Sequence, residues 1–299
     1  MKQLMMCKLK KSCKEKYRAR QQDGMIGKFA LQPPCVMGVI NLSRHSFYQS
    51  LPNYADALKK ARQMVVEGAA IIDVGAVATN PKINIDSDIP SLQAELDLLI
   101  PFIEKLSNQV EVIISVDTYR ADVMAEAVRA GAHIINDQHG LSEERALITA
   151  IKLNVPVCLM HYFNPMRLPN STSHSELVAQ IKNELQENIT RCLQAGMRQE
   201  NIIIDPGFGG GHFGMNADEN FYLLAHLSEI TQLEFPILIG LSRKSMFADI
   251  QIAVEDRLPA SISAATIAAM CGAAIVRTHD VKATVDAMRV VKKINLAIL

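Results

Sequence analysis

Short apolar runs alternate with longer amphipathic stretches along most of this 299-residue chain, and this alternation constrains its fold more than any other feature. The runs are rich in Val, Ile and Leu, as is typical of parallel strands buried on both faces of a sheet. They are Cys35–Asn41, Ala70–Gly75, Val112–Asp117, His133–Asp137, Val155–His161, Ile202–Asp205, Pro236–Ser242 and Ala273–His279. The stretches between them have helical spacing, and the fifth is the longest. They are Ala55–Glu67, Leu92–Leu106, Ala121–Ala130, Glu143–Lys152, Ser175–Ala195, Asn220–Leu227, Pro259–Cys271 and Lys282–Ile294.

Eight strands in alternation with eight helices predict an α/β protein whose strands close into a parallel (β/α)8 TIM barrel. Such barrels commonly use about 250 residues as one domain, and no linker or low-complexity segment divides the repeat. We therefore expect a single domain over residues 34–299. An open doubly wound sheet is the alternative that this pattern leaves.

The residues before the first strand differ in composition from the rest. The first twenty contain eight Lys or Arg and one Glu, and no apolar stretch follows that would make them a signal peptide. Residues 1–33 are therefore interpreted as a basic, disordered N-terminal tail, with a nucleic-acid-binding arm as the alternative. We expect no nucleic acid among the partners, because basic tails of this kind are more often simply disordered. We expect no membrane either, because no apolar run approaches the roughly 18 residues of a membrane span.

Six cysteines are scattered along the chain without a C-x-x-C pair or the Cys/His spacing of a zinc site. This distribution is typical of free thiols in a reducing compartment. We therefore expect the protein to be cytoplasmic.

Every apolar run has a polar side chain at or near its end. In chain order these residues are Asn41, Asp73, Asp117, Asn136 with Asp137, His161, Asp205, Ser242, and Arg277 with His279. The carboxyl ends of all the strands in a barrel meet at one rim, where the active sites of this architecture lie. The sequence therefore predicts a polar ligand site there, although loop capping remains an alternative for Asp73 and Ser242, and simple packing for His161.

The chemistry of these side chains indicates the kind of ligand. Asp117, Asn136 and Asp205 offer acceptors suited to an amide or amidine edge, such as that of a 2-amino-4-oxo ring. Lys244 and Arg277 donate hydrogen bonds, and an Arg can also stack on a flat ring.

A further set of residues suits an anionic group. Arg277 and His279, with a cation held near Asn41, would bind a phosphate. The Gly207–Gly211 loop lets the backbone approach a ligand closely, although glycine-rich runs alone are weak evidence. The sequence contains no nucleophile elbow, no zinc-protease motif and no Walker loop.

From about Pro34 to Val281 the chain resembles the dihydropteroate synthase family of folate biosynthesis. The resemblance is carried by short segments in the family's order, which are Met37–Asn41, Gly68 with Asp73–Gly75, Ser115–Tyr119, Ile135–Asp137, Leu159–His161, Asp205–Gly209, Ser242–Ser245 and Val276–Asp280. Each is short, but the ordered set is specific. The resemblance implies a transferase, of a family targeted by sulfonamides. Such an enzyme condenses 6-hydroxymethyl-7,8-dihydropterin diphosphate with p-aminobenzoate to give dihydropteroate and diphosphate.

The resemblance also implies roles for individual residues. The pterin diphosphate would contact Thr79, Asp117, Asn136, Asp205, Lys244, Arg277 and His279. Catalysis would depend on Asp117, Lys244, Arg277 and His279. The p-aminobenzoate would contact Phe47, Pro81 and Ser245. Asn41 matches the position that holds Mg²⁺ and diphosphate, and the family implies a homodimer.

Two rim loops depart from the family's pattern. His45 and Gln49 stand where the family has acidic residues, and Asn80 replaces an Arg that covers the diphosphate. A paralogue that binds pterin without condensing it is therefore an alternative. A pterin-dependent corrinoid methyltransferase is a further one, because it shares the barrel.

Overall fold

The computed structural model describes residues 25–42, 54–76, 89–162, 174–209 and 214–298. Its strands are β1 (Met25–Ile26), β2 (Phe29–Ala30), β3 (Cys35–Asn41), β4 (Ile71–Gly75), β5 (Ile113–Asp117), β6 (Ile134–Asp137), β7 (Val157–Met160), β8 (Ile202–Asp205), β9 (Leu238–Gly240) and β10 (Ile275–Thr278). Strands β3 to β10 are the eight that the apolar runs predict, each within two residues at either end. The two short strands before them are not predicted.

Strands β3 to β10 pair in parallel in the order β8-β7-β6-β5-β4-β3-β10-β9. A parallel bridge between Ile204 and Ile237 joins β8 to the segment that leads into β9, and the Ile204 N–H donates to the Pro236 carbonyl at 2.9 Å. The sheet therefore closes on itself. The predicted (β/α)8 barrel is confirmed, and the open sheet is wrong.

Helices connect successive strands in the described part of the chain. They are α1 (Tyr54–Val66), α2 (Leu92–Gln109), α3 (Ala121–Arg129), α4 (Glu144–Leu153), α5 (His174–Gln194), α6 (Ala217–Ala225), α7 (Leu227–Ile230), α8 (Arg257–Met270) and α9 (Val281–Ile298). Helix α6 begins at Ala217, three residues earlier than predicted, because the side chains of its N-cap residue Asn216 and of Glu219 form a reciprocal capping box. None of these helices is long and apolar enough to cross a membrane.

Alternate residues of each barrel strand face opposite sides of the sheet. Outward-facing residues such as Val36, Ile72 and Val276 pack with the helices in one large apolar cluster. Inward-facing residues near the amino ends of the strands, such as Met37 and Ile275, form a separate cluster inside the barrel. The interior is therefore apolar towards the amino ends of the strands, which leaves polar inward-facing positions nearer their carboxyl ends.

A short hairpin covers the amino end of the barrel. Strands β1 and β2 pair antiparallel, and Ile26 and Leu31 are buried in the interior cluster. The Gly27 N–H donates to the Glu200 carbonyl at 2.8 Å, and any Cβ at Gly27 would lie only 2.6 Å from a Pro156 side-chain carbon. Residues 25–33, assigned to the tail by sequence analysis, thus begin the folded domain, while residues 1–24 lie outside the described ranges.

Candidate active site

The two-residue period of the strands places the predicted polar residues inside the barrel. Asp73, Asn136, Asp205 and Arg277 each follow, by two positions, an isoleucine of the interior cluster. Asp117 lies four positions after Ile113 and therefore on the same side. The sequence thus brings three carboxylates, an amide and a guanidinium into the upper interior of the barrel, where hydrogen bonds join all of them except Asp205.

Arg277 is held between two carboxylates. Its Nε donates to Asp73 Oδ2 at 2.7 Å, and its Nη2 donates to Asp117 Oδ2 at 2.8 Å. Asn136 Nδ2 also donates to Asp73 Oδ2, at 3.2 Å. Burial alone would lower the pKa of Arg277, but the charges of Asp73 and Asp117 raise it above its usual range, so the guanidinium is permanently charged. Asp73 is therefore part of the site, and its interpretation as a loop cap is wrong.

Asp117 accepts a second donor that sequence analysis does not identify. Gln138 Nε2 lies 2.8 Å from each oxygen of the Asp117 carboxylate. Burial raises the pKa of Asp117 to about 7, with Arg277 opposing the shift and Asp73 adding to it. Near neutral pH this carboxyl can therefore exist in either protonation state.

A buried glutamate supports the loop that follows Asp117. Glu95, 1% exposed in α2, accepts from Thr118 Oγ1 at 2.7 Å and from Arg120 Nη1 at 2.7 Å. Burial raises the pKa of Glu95, although these two donors oppose the shift. The glutamate ties the start of this loop to α2 and adds a carboxylate near Asp117.

Asp205 is fixed by the backbone that follows it. The Gly207 N–H donates to Asp205 Oδ1 at 2.8 Å, and the His161 N–H donates to the Asp205 carbonyl at 2.8 Å. Gly207 has φ +82°, and a Cβ there would lie 2.5 Å from the His161 carbonyl oxygen, so a larger residue is excluded. Burial raises the pKa of Asp205 to about 6, against the opposing effects of the Gly207 N–H and Lys244.

Lys244 and His279 carry the remaining donors. Desolvation lowers the pKa of Lys244 to about 8, although Asp205 opposes the shift. Desolvation and the charge of Arg277 lower the pKa of His279 to about 4, so this imidazole is neutral at pH 7. Ser242 Oγ lies 3.0 Å from His279 Nδ1 and accepts from the His279 N–H at 3.2 Å. Ser242 therefore orients His279.

An ion pair between Arg243 and Asp280 joins the backbone next to Lys244 to the backbone next to His279. Arg243 Nε and Nη2 donate to the two oxygens of Asp280 at 2.8 and 2.9 Å. The Arg243 N–H donates to Ser261 Oγ at 2.8 Å, and the residue adopts φ +55°. The pair joins the residue before Lys244 to the residue after His279, and so positions both.

Two other polar residues near the strand ends have structural roles. His161 Nε2 lies 2.9 Å from Glu184 Oε2 in α5, which agrees with its interpretation as a packed barrel histidine. Asp137 faces outward, and its oxygens accept from the His139 and Leu141 N–H groups at 2.8 and 2.9 Å. It caps the loop after β6.

Of the remaining expected site residues, the structure describes two. Asn41 is the last residue of β3 and is partly buried, while Ser245 is exposed at the start of a short 3₁₀ helix, Ser245–Ala248. Phe47, Thr79 and Pro81 lie outside the described residues, as do the altered loop positions.

The chain is similar to known proteins. Residues 37–279 match the family model described as "Pterin binding enzyme". The dihydropteroate synthase of Escherichia coli (strain K12) is 42% identical over 266 residues, which cover 88% of this chain and 92% of that one.

Two solved structures are also similar. A dihydropteroate synthase from Coxiella burnetii in complex with pteroic acid has a TM-score of 0.83 and 46% identity, with coverage of 88% of this chain and 94% of that one. The enzyme of Xanthomonas albilineans with 4-aminobenzoic acid has a TM-score of 0.79 and 36% identity, with coverage of 88% and 93%.

Proposed function

The chain belongs to the dihydropteroate synthase family of pterin-binding enzymes, and we propose that it joins 6-hydroxymethyl-7,8-dihydropterin diphosphate to p-aminobenzoate, releasing diphosphate. The observation that carries this proposal is the polar layer inside the barrel. Asp117, Asn136 and Asp205 face the interior together with Arg277, between an apolar floor and the rim. These groups supply both the acceptors and the flat cation that a 2-amino-4-oxo ring requires.

The reaction needs little base catalysis from the protein. An arylamine is neutral at pH 7, so its nitrogen can attack the pterin methylene while the carbon–oxygen bond to diphosphate breaks. The demand is to stabilise negative charge on the leaving group and positive charge on the ring. Arg277 and Lys244 would supply cationic donors to the leaving group, and the ionised Asp117 carboxylate would stabilise positive charge on the ring.

His279 is suited to act as a neutral donor towards diphosphate. Ser242 Oγ accepts from the backbone N–H of His279, so the hydroxyl hydrogen of Ser242 is available to donate to the ring Nδ1 of His279. A hydrogen bond of that sense leaves the ring proton on Nε2, from which it can be donated to an anion. The low pKa of His279 means that this donation carries no full positive charge at pH 7.

Asn41 is the residue that would hold Mg²⁺. No group of three His, Cys, Asp or Glu side chains that could bind a metal occurs in the described part of the chain. A single side-chain oxygen from Asn41 fits Mg²⁺, because the ion commonly keeps several waters and binds through few protein oxygens together with substrate phosphates. When bound with diphosphate, the ion would neutralise part of the leaving group's charge.

Three further assignments belong to the proposal. Phe47, Pro81 and Ser245 are the proposed p-aminobenzoate contacts, in keeping with the 4-aminobenzoic acid bound to the Xanthomonas relative. A homodimer is proposed because Ile267 and Met270, one turn apart on α8, are 49% and 46% exposed. A cytoplasmic location is proposed because the described cysteines are free thiols, as expected in a reducing compartment.

The test is a turnover assay on the purified chain with both substrates and Mg²⁺. We expect diphosphate release that depends on p-aminobenzoate, together with formation of dihydropteroate. Pterin binding with no p-aminobenzoate-dependent release would contradict the proposal. It would instead identify a pterin-binding paralogue whose altered loops, at His45, Gln49 and Asn80, do not support condensation.

A further inference from the structure

Gln138 lies at the mouth of the site in a position that no motif marks. It follows β6 directly, two residues after Asn136, so the strand period directs it to the same inner side of the barrel. Its Nε2 is 2.8 Å from both oxygens of Asp117. An amide nitrogen that is equally far from both carboxylate oxygens can donate to either of them, so it can keep one oxygen when a ring N–H bonds to the other.

We propose that Gln138 is a positioning residue that holds the Asp117 carboxylate in place as the acceptor for the pterin ring. This inference deepens the proposed function and rests on it. The amide hydrogen atoms keep both oxygens of Asp117 directed towards the pocket. A ring N–H can then share one oxygen while Gln138 retains the other.

Arg277 alone would not hold Asp117 in this orientation. Its Nη2 donates to Oδ2, whereas Gln138 donates to Oδ1 as well as Oδ2. A guanidinium stacked on a ring can keep its in-plane N–H donors on Asp117, but the Arg277 donor reaches Oδ2 alone. The amide of Gln138 is therefore the donor that also holds Oδ1.

The neutrality of Gln138 suits this role. A cation at this position would add the attraction between two full charges to its hydrogen bonds, so it would bind Asp117 more tightly and resist displacement. It would also repel Arg277 and Lys244, which already face the same carboxylate. The half-buried amide can instead release one oxygen and offer its own carbonyl to a ring N–H.

The hydrogen bond from Gln138 also affects the ionisation of Asp117. The groups that face Asp117 are Arg277 from β10, Asp73 from β4, Glu95 from α2 and Lys244 after β9. Burial and the two carboxylates favour the protonated form, while the cations and the Gln138 amide favour the ionised one. Loss of the amide therefore raises the pKa of Asp117. As pH falls, the carboxylate then becomes protonated, and stops accepting hydrogen bonds from the ring, at a higher pH than in wild type.

The test compares Gln138→Met with wild type in calorimetric titrations of 6-hydroxymethyl-7,8-dihydropterin from pH 5.5 to 9. This range extends on both sides of the Asp117 pKa of about 7. We expect the variant's affinity to fall on the order of 3- to 10-fold at neutral pH, as for one lost hydrogen bond. We also expect the pH at which affinity declines to move upward. In turnover, KM for the pterin substrate should rise, while KM for p-aminobenzoate stays unchanged.

Gln63→Met is the matched control, because Gln63 Nε2 donates to Glu67 Oε1 at 2.7 Å on the exposed face of α1. It loses an amide–carboxylate bond outside the site and should leave affinity and its pH profile unchanged. Gln138→Glu serves if the Met variant fails to fold, because a second carboxylate beside Asp117 should move the pH midpoint upward.

Unchanged affinity and pH midpoint in a folded Gln138 variant would overturn the inference while leaving the synthase activity intact. A wild-type chain that binds pterin without turnover, and whose Gln138→Met variant binds less tightly, would instead contradict only the proposed function.

Discussion

Arg277 Nε lies 2.7 Å from Asp73 Oδ2 inside the barrel, where Asp73 is fully buried. The two residues are 204 positions apart in sequence. Strands β4 and β10, which carry them, are both neighbours of β3 in the sheet. The pair with Asp73 fixes the guanidinium where its Nη2 also donates to Asp117 Oδ2, at 2.8 Å.

Asp73→Asn is expected to weaken pterin binding without unfolding the chain. With Asp73 neutral, Arg277 is drawn to Asp117 and competes with the ring for that carboxylate. We expect pterin affinity to fall about 10-fold, equivalent to about 1.4 kcal/mol. The free energy of unfolding should fall by about 2 kcal/mol, less than the roughly 3–5 kcal/mol for breaking a buried pair completely, because Asp117 remains. Urea unfolding and calorimetry measure both.

Asp137→Asn is the control for this variant, because Asp137 is equally buried on β6 but faces outward and caps a loop. It should lose stability and keep pterin affinity. Equal affinities for Asp73→Asn and wild type would show that Asp73 does not set the position of Arg277.

The pH dependence of stability should oppose that of binding. A carboxyl whose pKa is raised by folding is ionised at a cost in the native state, so stability falls as pH rises from about 4 to the folded pKa. For Asp117 that pKa is about 7 and for Asp205 about 6. The difference in the free energy of unfolding between Asp117→Asn and wild type should therefore be more favourable to the variant at pH 8 than at pH 5. Pterin affinity should decline as pH falls through about 7. A difference between variant and wild type that is independent of pH would contradict the raised pKa.

Much of the fold could be predicted from sequence, because each barrel strand is a continuous apolar run with its own boundaries. The β1–β2 hairpin could not, since strands of two residues carry no detectable period. In the site, Asp117, Asn136, Asp205 and Arg277 were predicted from their places at strand ends.

The sequence leaves the role of Asp73 open and does not predict that of Gln138, because each role depends on a partner from another strand. Asp73 pairs with Arg277, and Gln138 contacts Asp117. The two-residue period after Ile71 and Ile134 does direct both side chains inward.

Residues 25–33 should contribute to stability, whereas residues 1–24 should not. A chain that starts at Met25 is expected to keep the melting temperature of the full chain. A chain that starts at Pro34 exposes the interior cluster under Ile26 and Leu31. Because burial of one such side chain contributes about 1.5–3 kcal/mol, we expect a loss of about 3 kcal/mol or more in the free energy of unfolding. Equal melting temperatures for the two shortened chains would contradict a role for the hairpin.

Asn80→Arg is a prediction from sequence alone, since position 80 lies outside the described residues. An Arg can hold diphosphate oxygens with two charge-assisted hydrogen bonds, and its charge matters most as the leaving group departs. Turnover should rise about 10-fold for each 1.4 kcal/mol regained, with affinity for the pterin lacking diphosphate unchanged. A slower Asn80→Arg enzyme together with an impaired His45→Ala enzyme would show that the first loop supplies the missing contact instead.

Calorimetric titration of 6-hydroxymethyl-7,8-dihydropterin into wild type and Asp205→Ala tests whether the polar layer inside the barrel binds the pterin ring without help from p-aminobenzoate. Wild type should bind, and Asp205→Ala should lose about 1–3 kcal/mol because ring N–H donors are left unpaired. Asp286→Ala, at an exposed position on α9, should bind as wild type does. No binding by wild type, or equal binding by Asp205→Ala, would contradict this pocket.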